Sequence, residues 1–205
     1  MSERLAHLIS YVFHPILMPS YAVMVLFSLG SYVNYSLSIE YLGIIAGLNF
    51  LNTAFMPSVF LLVLYKMNRI SNLHLKEQYE RTLPFLIAIF FYSFNYYVFK
   101  SSVLPQMIIS MALVGALMVV FSFVLNFWVK ISIHAIGISS LAGMFCAVSL
   151  LLKKDINLTL MLFFLLIGIV GTARLKLKAH EPHQVYLGSA LGLILGFGSV
   201  YLRLG

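Results

Sequence analysis

Seven apolar runs, each close to the about 20 residues that an α-helix needs to cross a bilayer, follow one another along this sequence with only short polar connectors between them. They cover roughly 11–33, 41–65, 84–99, 107–128, 137–152, 156–172 and 185–202. At 61% hydrophobic and 9% charged over 205 residues, the chain is too apolar for an ordinary water-soluble domain. The expected fold is all-α, a polytopic transmembrane helical bundle of six to seven spans, the range reflecting the short run 84–99. One integral membrane domain, 1–205, is expected, with two N-terminal spans in 1–66 and the motif-bearing core in 67–205.

The net charge of +7 does not point to nucleic acid, because the Lys and Arg residues lie in connectors and form no basic face or recognition motif. Helix-end topology and anionic headgroups account for them, so membrane lipids are expected surroundings and nucleic acid is not an expected partner. The single cysteine, Cys146, sits inside an apolar run, which indicates neither a disulfide nor a cysteine zinc site. The first run lacks a small-residue cleavage site and reads as a retained span bent by Pro15 and Pro19, with His14 an interfacial histidine satisfied by water or a neighbour, the alternative being that it lines a site near the helix end.

Inside the second run, Asn49, Asn52 and Thr53 share one helix side, a spacing that commonly serves to bond a neighbouring helix. In the last run, Gly188, Gly192 and Gly196 recur every four residues and allow close helix contact, within the bundle or between subunits of an oligomer. Counting crossings puts the connector 67–82, the segment from Lys130 to His134 and the segment from Arg174 to Gln184 on one membrane side, where three remote stretches can meet. If the fourth helix runs on, Asn126, Lys130 and His134 fall four residues apart on one of its faces. Cations number nine on that side and four on the other, but Lys76, Arg81, Lys130 and Arg174 are candidate ligands, and without them the balance of five against four gives no orientation.

Between Ala173 and Gln184 the chain concentrates three cations and two histidines between two apolar runs, where polar groups are costly unless something holds them. Phosphoryl chemistry needs several cationic or hydrogen-bonding donors, and transfer through a covalent intermediate needs a nucleophile and an acid. Arg174, Lys76, Arg81 and Ser132 are candidate donors, and Lys130 is balanced between phosphate contact and a helix end reaching for headgroups. His134 and His180 can divide the nucleophile and acid roles, since imidazole is available in both protonation states near neutral pH. Pro182 marks the start of the last helix, which sets His180 near a positive helix end, and Gln184 can accept from the imidazole to fix its orientation. Lys176 and Lys178 read as a positive flank anchoring a helix end. His180-Glu181-Pro182-His183 spaces its histidines by three across a proline and lacks the geometry of a zinc-binding helix, so no metal or other cofactor is expected.

These residues resemble the type 2 phosphatidic acid phosphatases, whose membrane members dephosphorylate lipid phosphates without a metal. The family's third motif, Ser-Arg, five residues, His, three residues, Asp, is similar to Ala173-Arg174, His180 and Gln184, with the Arg-to-His spacing kept. Its second motif, Pro-Ser-Gly-His, is similar to Ile131-Ser132-Ile133-His134. Its first, Lys, six residues, Arg-Pro, finds Lys76 and Pro84 in register, but Leu83 replaces the arginine, for which Arg81 can substitute. The resemblance covers about 76–198 and implies a core of that family's type. It makes His180 the nucleophile, His134 the general acid, and Arg174 and Ser132 phosphate ligands. Gln184 replaces the carboxylate that would stabilise a charged imidazole, Ile133 replaces a glycine beside the phosphate, and Ala173 lacks the hydroxyl.

The reading is a lipid phosphatase of the bacterial inner membrane that acts on a phosphomonoester or prenyl diphosphate, undecaprenyl pyrophosphate being one, through a phosphohistidine. A degenerate family member that binds lipid phosphates or scaffolds a complex is the first alternative. A small transporter using Asn49, Asn52, Thr53 and Asn126 as a polar path is the second.

Overall fold

The computed structural model describes residues 1–29, 37–73, 75 and 77–204. In chain order its helices are α1 (Glu3–Val12), α2 (Met18–Ser28), α3 (Ile39–Phe50), α4 (Met56–Lys66), α5 (Thr82–Lys100), α6 (Gln106–Leu125), α7 (Ile133–Leu152), α8 (Asn157–Lys176) and α9 (Pro182–Leu204), and no strand occurs among the described residues. Short 3-10 turns at Pro15–Leu17 and Tyr79–Arg81 and a π-helical turn at Leu51–Phe55 link α1 to α2, lead into α5 and link α3 to α4. Taken with these links, seven helical stretches among the described residues are long and apolar enough to cross a membrane. The protein is an integral membrane protein with an all-helical fold.

Local sequence sets several of the boundaries. The short run 84–99 is the interior of the 22-residue stretch Tyr79–Lys100, and Pro84 sits in the first turn of α5, where a missing N–H costs no intrahelical bond. Pro57 has no N–H to give, and the chain widens into the π turn just before it, where Met56 N–H bonds Leu51 O. One conditional expectation fails: α6 stops at Leu125, so Asn126, Lys130 and His134 do not share a helix face. Phe127 and Trp128 close a turn onto Val124 and Leu125, and Ser132 then caps a new helix, with its Oγ accepting from Ala135 N at 3.4 Å. His134 therefore opens the fifth span instead of trailing the fourth.

The chain forms two compact units, one of Met1–Met18 with Val124–Gly205 and one of Pro19–Phe123. In the second, Asn95 of α5 donates to Asn49 Oδ1 at 3.1 Å and accepts from Asn52 Nδ2 at 3.3 Å, all three side chains being buried. Those bonds tie α5 to the last turn of α3 and to the π turn that follows it, a use of intramembrane amides common in helical bundles.

In the first unit α7 is the central helix and α9 lies along it in the same direction. A Cβ added at Gly188 would meet Ser132 O at 2.9 Å, one at Gly192 would meet Ile136 O at 2.5 Å, and one at Gly196 would strike Ser140 O. Gly143 of α7 makes the reciprocal close approach to Leu193 O. The glycine row is thus used within the chain, letting two backbones approach where any side chain would hold them apart. Because the register rises together on both helices, their N-terminal ends are neighbours, and Ser132 N bonds Gln184 O at 3.3 Å.

Candidate functional site

The segment after α8 is built as a helix terminator followed by a helix start. Lys178 adopts the left-handed conformation, φ 49°, while its N–H bonds Leu175 O at 3.0 Å and Ala179 N–H bonds Arg174 O at 3.1 Å. This Schellman arrangement reverses the chain at once. After His180 and Glu181, Pro182 begins α9, with its fixed φ suited to the first helical position. Gln184 supplies one half of a capping box, its Oε1 accepting from Glu181 N at 3.3 Å. His180 is held between the two devices.

The tautomer of His180 follows from its partners. Nδ1 lies 3.2 Å from Lys130 O and 3.1 Å from Gln184 Oε1. A carbonyl and an amide oxygen only accept, so Nδ1 carries a hydrogen. The side chain is 9% exposed and lines an open cleft of about 510 Å3 together with Lys130, Lys178, Glu181, Pro182 and Gln184. A buried imidazole oriented through Nδ1, lining a cleft with two lysines, has the chemistry of a nucleophile or base. The positive ends of α7 and α9 add to the attraction for anions.

A second cluster adjoins it within the same unit. Arg174, in the last turn of α8, donates from Nη1 to Ser10 Oγ at 3.1 Å, and His134 Nε2 lies 3.2 Å from Ser10 O. Again the partner is a carbonyl, so the hydrogen is on Nε2. The His14 ring meets that of His134 edge to face, 5.3 Å between centroids and 81° between planes, while His14 Nδ1 accepts from Ile16 N at 3.4 Å. Arg174, His14 and His180 are the charged or ionisable groups that act electrostatically on His134.

Of the residues expected at the site, His180, Gln184, Lys130, Arg174, His134 and Ser132 all lie in this unit. Ser132 is wholly buried and its hydroxyl caps α7. Lys178, expected only as a flank, lines the cleft. Arg81 belongs to the other unit, where it is buried and its Nε donates to Leu75 O at 3.0 Å. Lys76 lies outside the described residues. Ser10 was missed, and no spacing pattern marks it: a serine late in a short amphipathic helix has no distinguishing signal until that helix is placed. His14, read as interfacial, is a member of the cluster.

No family model, curated protein or solved structure matches this chain.

Proposed function

We propose that the protein is a metal-independent membrane lipid phosphatase, of the type that the resemblance to the type 2 phosphatidic acid phosphatases implies, working in a bacterial inner membrane. The observation that carries this reading is His180, nearly buried at the cleft with Nδ1 held by Lys130 O and Gln184 Oε1. In the proposed reaction the Nε2 lone pair attacks phosphorus. The bond from phosphorus to the lipid oxygen breaks, and protonated His134 gives a proton to that oxygen. Water then attacks the phosphohistidine, its proton passes to His134, and inorganic phosphate leaves with His180 restored. Arg174, Lys130 and the neighbouring helix ends balance charge on the equatorial oxygens.

The test is release of phosphate from phosphatidate, phosphatidylglycerophosphate and prenyl diphosphates by purified protein in chelator-containing buffer. His180→Ala abolishes release if the reading is right, and unchanged turnover by that variant eliminates the mechanism. A non-catalytic lipid-phosphate binder is the second reading, favoured by Gln184, whose neutral oxygen orients His180 without the charge of a carboxylate. Tight binding of the same lipids without turnover selects it.

A further inference from the structure

The first span is interrupted where it passes the site, and the interruption follows from one residue. Proline disfavours the α conformation in the residue before it, and His14 is extended, with φ −67° and ψ 136°. The helix therefore ends at Val12, and His14 N–H bonds Tyr11 O instead of Ser10 O four residues back. That leaves the Ser10 carbonyl at the negative end of a ten-residue helix, and His134 Nε2 takes it at 3.2 Å. The same residue's hydroxyl accepts from Arg174 at 3.1 Å. Ser10 is 7% exposed, and the broken segment is seated against α7 at Gly137, where an added Cβ would lie 2.9 Å from Met18 Cγ and 3.7 Å from Pro15 Cα.

We propose that Ser10 is the positioning residue of the site, its carbonyl holding His134 and its hydroxyl holding Arg174, with Pro15 keeping that carbonyl out of the helix. The proposal rests on the phosphatase reading for what the two held residues do. No carboxylate contacts the His134 ring among the described hydrogen bonds, and a helix C-terminal carbonyl supplies part of what a carboxylate supplies elsewhere: it fixes the tautomer. An acid with Nε2–H so engaged presents its other nitrogen to the leaving oxygen. The hydroxyl in turn fixes one arm of the Arg174 guanidinium.

Two measurements on the full chain in lipid nanodiscs decide it. In the first, inorganic phosphate is titrated calorimetrically into the parent, Ser10→Ala, Arg174→Ala and the double variant. Ser10→Ala weakens binding about 10-fold, and adds nothing once Arg174 is already alanine, because it acts through that side chain. An equal loss on both backgrounds, or none on either, overturns the hydroxyl's role. In the second, 15N-histidine spectra, with His134 assigned through His134→Gln, show the parent ring protonated at Nε2. Pro15→Ala lets His14 N–H compete for the Ser10 carbonyl and shifts that ring toward a mixture of tautomers, while an unshifted spectrum overturns the carbonyl's role. A parent that binds no phosphate sinks the phosphatase reading and the hydroxyl's part with it. The carbonyl's part is still decided by the spectra.

Discussion

Replacing Gly192 by alanine tests the link between helix packing and chemistry. Its new Cβ would sit 2.5 Å from Ile136 O and 3.0 Å from Ser140 N, against an ordinary contact beginning at 3.4 Å, so α9 must back away by about 0.9 Å. Both obstacles are backbone atoms of the central helix and cannot swing aside. Overpacking of this kind costs about 1–3 kcal/mol, and a loss of about 2 kcal/mol at this chain length lowers Tm by about 4–8 °C. The site has less slack than the required shift. His180 Nδ1 is 3.2 Å from Lys130 O, and a separation near about 3.6 Å no longer counts as a hydrogen bond, which leaves about 0.4 Å. A displaced α9 thus releases His180, and a misplacement near about 1 Å costs on the order of 100-fold in rate. The assay pairs thermal unfolding in detergent with phosphate release, using Gly198→Ala as the control because a Cβ there meets nothing within 4 Å. Gly192→Ala that unfolds and turns over like Gly198→Ala refutes the argument.

Two turn residues separate strain from function. Lys153 and Lys178 both end helices with φ near +48° and +49°, a conformation costing about 1–2 kcal/mol for a residue with a Cβ, so glycine at either position raises stability by about 1 kcal/mol in chemical or thermal unfolding. Only Lys178→Gly lowers phosphate affinity, since Lys178 lines the cleft, and equal affinities for the two variants remove Lys178 from the site. Gln184→Leu loses both the His180 contact and the capping-box bond, so activity falls about 10- to 100-fold and stability by about 1 kcal/mol. Gln184→Glu restores a charge beside the imidazole and raises kcat above the parent if phosphohistidine forms; a lower kcat argues for a binder.

Much of the architecture was legible because a membrane span advertises itself by length and hydropathy alone. The seven runs, the helix start at Pro182, the turn at Lys153 and the use of the glycine row all follow from local rules that need no neighbour. The spacing from Arg174 to His180 to Gln184 was legible for the same reason, as it lies across one helix end, one turn and one helix start. The contribution of Ser10 was not, because it depends on which helix docks beside which, and apolar faces of similar composition carry little record of their partners. The continuation of α6 through His134 was misread for a related cause: four-residue spacing is common in a chain of helices, whereas Ser132 competing as a cap acts over three residues. Arg81, two residues out of the motif register, was a candidate substitute for the missing arginine, yet its side chain is engaged with its own loop.

That α7 and α9 point the same way has a practical side for anyone mapping topology. The Lys153 turn and the end of α9 at Leu204 must emerge on one face, and His180 with its cleft on the opposite face. A reporter enzyme or epitope fused after Leu204 would therefore report the compartment opposite the cleft, and a cysteine label at Glu181 the compartment onto which the cleft opens.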